Sequence, residues 1–194
     1  KGDYLIYHGD QQLAEIQKNV HFKHNEMNLV SEQLKYDFEH EKGFFDESAR
    51  ITENEKSLSS NKGIYYAGAE KFDFYTNVIV ESTKEILRAD TLFYWLNSEY
   101  AEFKSNGTLE NSDIHVKANK GWVNQKDGKA LLNDKIQIRD LENDYVLHAD
   151  SCYLFNEMSH SISYGNTLLS LPLNEDTLYL TADTLIHQQK SESN

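Results

Sequence analysis

The chain has 194 residues, 39% of them hydrophobic, and its 19 Lys and Arg stand against 32 Asp and Glu for a formal charge of −13. That apolar share predicts a thin core spread along the molecule. With no basic cluster, the charge excludes bare nucleic acid as a partner and would repel an anionic lipid headgroup, so a lipid could be held only through its apolar part.

Taken in order, Tyr4-Leu5-Ile6-Tyr7 reads as an edge strand. Asp10 to Lys18 carries Leu13, Ala14 and Ile16, a weak helical spacing that also matches the strand opening each later repeat. Runs rich in β-branched, aliphatic and aromatic residues follow: Asn19-Val20-His21-Phe22, Phe72-Asp73-Phe74-Tyr75, Val78-Ile79-Val80, Ile136-Gln137-Ile138 and Tyr145-Val146-Leu147. Polar turns such as His24-Asn25-Glu26, Ser82-Thr83-Lys84-Glu85, Gln125-Lys126-Asp127-Gly128 and Leu141-Glu142-Asn143-Asp144 separate them. No window sustains a helical period, so the fold is predicted to be all-β and built of antiparallel hairpins. Pro172, in Leu168-Leu169-Ser170-Leu171-Pro172-Leu173, predicts an edge or irregular crossing before a last strand over Leu178 to Leu185. Residues 1–187 are read as one elongated domain and the polar stretch 188–194 as a disordered tail.

The runs are ordered by a repeat. Leu29-Val30-Ser31-Glu32, Leu58-Ser59-Ser60-Asn61, Leu87-Arg88-Ala89-Asp90, Val116-Lys117-Ala118-Asn119, Leu147-His148-Ala149-Asp150 and Leu180-Thr181-Ala182-Asp183 begin at steps of 29, 29, 29, 31 and 33. About six stacked units of two strands each are therefore predicted. The first strand of a unit carries Asn19-Val20, Asn77-Val78 or Asn106-Gly107, with Ser48-Ala49 filling the missing step. The second is clearest at Ile86 to Trp95, where Leu87 and Ala89 share one face and Leu92 and Tyr94 the other. A bulge or corner at Asp90-Thr91 would turn both pairs inward, and Gly63 and Gly121, at the Leu92 position of two copies, are read as marks of that bend.

Catalytic signatures are missing. His21 and His24, three apart on a strand, point to opposite faces and make no metal pair; Glu39-His40-Glu41 and Asp46-Glu47 lack calcium-loop spacing. There is no Gly-x-Ser-x-Gly, phosphate loop or dinucleotide fingerprint, so no enzyme activity, cofactor or metal is assigned. Cys152, the one cysteine, sits at the Leu92 position and is read as a small buried hydrophobe. Tyr65, Tyr66, Tyr94, Trp95, Trp122 and Tyr153 are read as a ladder closing the end of a cleft. No run approaches the ~20 apolar residues of a membrane span, and the start at Lys1 reads as a trimmed or mature form.

The hairpin Asn77-Val78-Ile79-Val80 followed by Leu87-Arg88-Ala89-Asp90-Thr91-Leu92-Phe93-Tyr94 resembles the OstA-like, or LptA, family of periplasmic lipopolysaccharide-transport proteins. The resemblance runs over about residues 13 to 185. It implies an open, V-shaped β-jellyroll whose cleft shelters acyl chains, a location in the periplasm of a Gram-negative bacterium, and partners that are lipopolysaccharide and other Lpt-type proteins or copies of itself. The groove is expected to be lined by Val20, Phe22, Leu29, Val78, Val80, Leu87, Leu92, Val116, Ile136, Ile138, Leu147 and Leu180. Edge association is expected at Leu5, Ile6 and Tyr7 and at Leu178 and Tyr179. The rival reading is a non-catalytic β-repeat scaffold or adhesin that binds carbohydrate or protein.

Overall fold

The computed structural model describes residues 1–155, 160–174 and 176–188. Every strand pairing is antiparallel, and a 3-10 turn at Gly9–Gln11 is the one helical segment among the described residues. The strands are β1 (Tyr4–His8), β2 (Leu13–His24), β3 (Met27–Asp37), β4 (Lys42–Phe45), β5 (Ala49–Glu53), β6 (Lys56–Ser60), β7 (Lys62–Tyr66), β8 (Lys71–Glu81), β9 (Ile86–Trp95), β10 (Tyr100–Glu110), β11 (Ile114–Asn124), β12 (Lys129–Asp140), β13 (Val146–Phe155), β14 (His160–Leu173) and β15 (Asp176–Gln188). The ambiguous stretch after Asp10 thus resolves as a turn followed by strand.

Two compact units divide the chain, residues 1–97 with β1 to β9 and residues 98–194 with β10 to β15. In the second unit the strands form a plain meander, each pairing with the next. The first unit departs from this where its second repeat is broken, with β4 and β5 separated at residues 46–48 and β6 and β7 at Asn61. There β3 pairs with both β4 and β5, and β8 with both β6 and β7. The other repeats are unbroken two-strand hairpins. The two-residue turn Asn25-Glu26 between β2 and β3 has its first residue left-handed at φ +52°, which asparagine tolerates.

Each long strand is bent at one place. Left-handed pairs occur at Lys18-Asn19, Thr76-Asn77, Ser105-Asn106, Asp134-Lys135 and Gly165-Asn166, with φ between +46° and +69°. In each case the two residues oppose one: Glu32, Asp90, Asn119, Asp150 and Asp183 respectively. The extra residue turns the strand and shifts side-chain parity. Accordingly Leu87 and Ala89 are buried before the bend of β9 and Leu92 and Tyr94 after it. The expected corner therefore exists at Asp90, but its bulge lies on the preceding strand, β8.

Three expectations are corrected. Pro172 lies within a continuous β14, opposite Thr177 of β15, so the edge alternative holds and the irregular crossing is not seen. It is tolerated because β13 pairs with β14 only as far as Ser170, so the missing N–H faces no partner on that side. Gln188 ends β15 instead of beginning a tail; the rest of the tail expectation falls outside the described residues. Gly63 and Gly121 do not make the bend. A Cβ on Gly121 would meet the backbone carbonyl of Leu131 and stand 2.9 Å from Cζ of Phe103, so glycine is there to admit a neighbouring phenylalanine ring. Phe45 lies over Gly63 in the same way. Gly121→Ala is expected to lower unfolding stability by about 1–3 kcal/mol through overpacking, whereas Gly9→Ala, whose Cβ has ordinary contacts, should stay within about 0.5 kcal/mol. Urea unfolding of the two variants checks this.

Candidate functional site

The bends split each unit into two half-sheets with inward-facing rows. In the first unit one half-sheet contains residues 20–24, 27–31, 78–81 and 86–89 with β5 and β6. Its inward row in register is Phe22, Leu29, Ile51, Leu58, Val80 and Leu87. The other half-sheet contains residues 13–17, 33–37, 71–75 and 91–95 with β4 and β7. It carries the inward row Ala14, Tyr36, Gly43, Tyr65, Phe72 and Tyr94. The second unit repeats the plan, with Leu109, Val116, Ile138, Leu147, Leu169 and Leu180 in one row. Its other half-sheet has Phe103, Gly121, Leu132, Cys152, Ser163 and Leu185.

All of the residues expected to line the groove stand in such inward positions. Val20, Leu29, Val78, Val80, Leu87, Leu92, Val116, Ile136, Ile138 and Leu147 are buried, at 8% exposure or less. Phe22 is half-buried at the far end of its half-sheet, and Leu180 is 43% exposed because its strand is the last in the sheet. Burial has a local cause near the crease, where Ser31, Ala49, Ser60, Ala89, Ala118, Ala149 and Thr167 are all small and buried. Small side chains there leave room for the two halves of a strand to converge.

Far from the bend, the halves of each unit are joined by polar and aromatic contacts. In the first unit Phe22 meets the rings of Tyr36 and Tyr65 with centroids 5.7 and 6.2 Å away, and His24 Nδ1 lies 2.6 Å from the Tyr65 hydroxyl. Asn25 Nδ2 donates to Glu70 Oε1 across 3.3 Å, linking the turns of the opposite halves. In the second unit the Tyr145 hydroxyl lies 3.2 Å from His187 Nε2, their rings 5.5 Å apart. The charge of the buried Asp140 acts on Tyr145, and Asp140 Oδ1 accepts from the backbone N–H groups of Glu142 and Asn143.

These lip residues have shifted acidities. Burial, followed by the charge of Glu70, pushes the Tyr65 hydroxyl up to about 12. Burial, followed by the charge and hydrogen bond of Asp140, does the same to Tyr145. Burial pulls His187 below the usual histidine value, against the opposing pull of Asp140. Burial likewise raises the Cys152 thiol, which accepts from Ser163 Oγ at 3.3 Å, so the cysteine is the inert hydrophobe its position predicts.

The aromatic ladder is distributed differently from the expectation. Tyr65 and Tyr94 face inward, but Tyr66, Trp95, Trp122 and Tyr153 occupy the outward positions of their strands and cannot close a cleft. Outside, they cover cations and one another: Lys71 Nζ sits 5.4, 5.0 and 4.8 Å from the ring centres of Tyr66, Phe93 and Trp95, while Trp122 stacks near Tyr100. Sequence reasoning missed the lip residues His24, Tyr145, Asp140 and His187. A signal existed for two of them, since His24 shares parity with Phe22, and His187 with Leu185, on alternating strands.

The terminal strands bear out their expected exposure. β1 pairs with β2 alone and β15 with β14 alone among the described residues, and Leu5, Ile6, Tyr7, Leu178 and Tyr179 are all exposed. Among those residues no group of His, Cys, Asp and Glu is placed to hold a metal ion.

Because the ordinary phenol value is 10.0 and the folded values of Tyr65 and Tyr145 lie near 12, folding is favoured by these groups below 10 and loses that contribution as pH rises toward 12. The urea midpoint is therefore expected to fall in this window, and phenolate absorbance should show the latest-titrating component missing from the Tyr65→Phe, Tyr145→Phe double variant.

No curated protein matches the chain. The family model described as OstA-like protein matches residues 1–90, from the N-terminus through the exposed β1 to the corner residue of β9. Over those ninety residues, a little under half of the chain, the sequence is similar to OstA-like proteins.

Proposed function

We propose that this protein is a lipopolysaccharide-transport component of the Gram-negative periplasm, sheltering acyl chains between the two half-sheets of its bent strands and forming part of a bridge from inner to outer membrane. The observation that carries the reading is the uninterrupted inward row of large apolar side chains in each unit, in register from strand to strand. A row that is equivalent at each step holds a hydrocarbon chain equally well at successive positions. Burying each methylene stabilises by about 0.8 kcal/mol, so a multi-chain lipid needs few polar contacts. The net charge of −13 fits a ligand gripped by its tails. No helix among the described residues is long and apolar enough to cross a membrane.

Most of the row residues are buried between the half-sheets, so lipid entry must separate the halves. A photoreactive residue at Leu87 or Ile138 is expected to crosslink to lipopolysaccharide. Adducts at outward positions such as Arg88 or Gln137, with none at inward ones, would overturn the assignment. Lipid identified by mass spectrometry in the purified protein supports the carrier, whereas a melting shift with oligosaccharide and not with lipid would favour the scaffold reading.

The bridge requires the free edges of β1 and β15. An exposed edge pairs readily with another strand, and a charged side chain on it discourages pairing. Sedimentation is expected to show concentration-dependent association, by self-docking or with an added Lpt-type partner. Ile6→Lys and Tyr179→Lys should weaken that association about tenfold or more while leaving the melting temperature near that of the wild type, since both side chains are exposed. Equal association of the variants and the wild type would count against edge docking.

A further inference from the structure

We infer that the His24–Tyr65 pair and the Tyr145–His187 pair are clasps that hold the two half-sheets of each unit together at the side away from the bend. Each must release before the interior can be reached. Two features of the arrangement carry this. Both pairs join residues of opposite half-sheets, β2 to β7 in the first unit and the start of β13 to β15 in the second. Both also use the same chemistry, a tyrosine and a histidine, at positions that share strand parity with apolar residues, His24 with Phe22, Tyr145 with Leu147 and His187 with Leu185.

The environment of each pair fits a device that opens. Away from the crease, polar contacts join the halves beside the buried side chains: the His24–Tyr65 hydrogen bond, ring contacts and, in the first unit, the Asn25–Glu70 bond. In the second unit the Tyr145 hydroxyl meets His187 Nε2 at 3.2 Å, and the charge of Asp140, a carboxylate that the 141–144 turn holds in place, lies beside Tyr145. His187 lies on the terminal strand β15, which among the described residues pairs with β14 alone. An apolar seal would have no such discrete release point.

Cys152 reports on the clasp of the second unit. It is fully buried in the inward row next to that of His187, two strands away, and it is the only cysteine in the chain. Native-state labelling with dithionitrobenzoate is expected to be about fivefold to tenfold faster in Tyr145→Phe than in the wild type, the worth of one hydrogen bond, with the unfolding transition little moved. His187→Leu should label as fast, and His187→Gln, which keeps an N–H donor, should label near the wild-type rate. Unchanged labelling in Tyr145→Phe and His187→Leu overturns the clasp. Faster labelling in His187→Gln to the same degree as in His187→Leu also overturns it, because lost packing would then suffice.

As a gate for lipid, the clasp rests on the carrier function proposed above, and the two fail separately. Thiol labelling uses no lipid. Failure of dansyl-undecanoic acid to bind the wild type or any variant would sink the carrier and leave the labelling result standing. If the probe binds, its uptake rate is expected to rise in Tyr145→Phe by the same factor as labelling; uptake unchanged while labelling quickens would show that lipid does not enter past this clasp.

Discussion

Everything in this fold depends on one backbone device, the pair of left-handed residues that opposes a single residue on the next strand. Left-handed backbone costs an ordinary residue about 1–2 kcal/mol, and the five pairs are filled accordingly, with Asn19, Asn77, Asn106, Asp134, Gly165 and Asn166 among their members. The cost is borne because the extra residue reverses parity and bends the strand. Both halves can then present their apolar faces to each other. Side-chain bonds reinforce the bend, as where Asn166 Nδ2 donates to Asp150 Oδ2 across 2.7 Å and Asn119 Nδ2 to Asp134 Oδ2 across 3.0 Å. The recurrent acidic or amide residue of the repeat is therefore a corner piece.

Packing follows from the bend. Next to the crease the halves are closest, which explains why the repeated word contains alanine or serine at Ser31, Ser60, Ala89, Ala118, Ala149 and Ala182. One step further out there is space for Leu29, Leu58, Leu87, Val116 and Leu147, all of which are buried. Glycine enters where a phenylalanine from the adjacent strand must lie flat over the backbone, as Phe103 does at Gly121. A strand that bends, a small residue in the crease and a large one beyond it are a single structural solution applied at nearly every step.

The same geometry ties stability to access. Near the bend the halves are covalently continuous and tightly packed, so separation there would require breaking the bulges. At the far side they meet through His24 and Tyr65 in one unit and Tyr145 and His187 in the other, contacts whose net worth is small. If the halves part to admit a lipid, as proposed, they part on that side.

Much of this is legible in the sequence. The period, the all-β composition, the parity change between Ala89 and Leu92 and the inward set from Val20 to Leu147 follow from spacing, because alternation along a strand maps position to face, whereas the exposed ends at Leu5 and Tyr179 follow from the open stack that the resemblance implies. The match over residues 1–90 agrees with the family to which that pattern points. Spacing could not assign the aromatics. Tyr65 and Tyr66 are adjacent in the chain yet face opposite ways, and only the strand register reveals that Trp122 and Tyr153 lie outside. Nor could it give Gly121 its purpose, which lies in a ring on another strand. The sequence by itself determined which residues point inward, since that depends on a local period of two. What meets across the interior, His24 with Tyr65 over 41 residues and Tyr145 with His187 over 42, was decided by tertiary structure, because the angle of the bends and not the order of the chain brings those groups together.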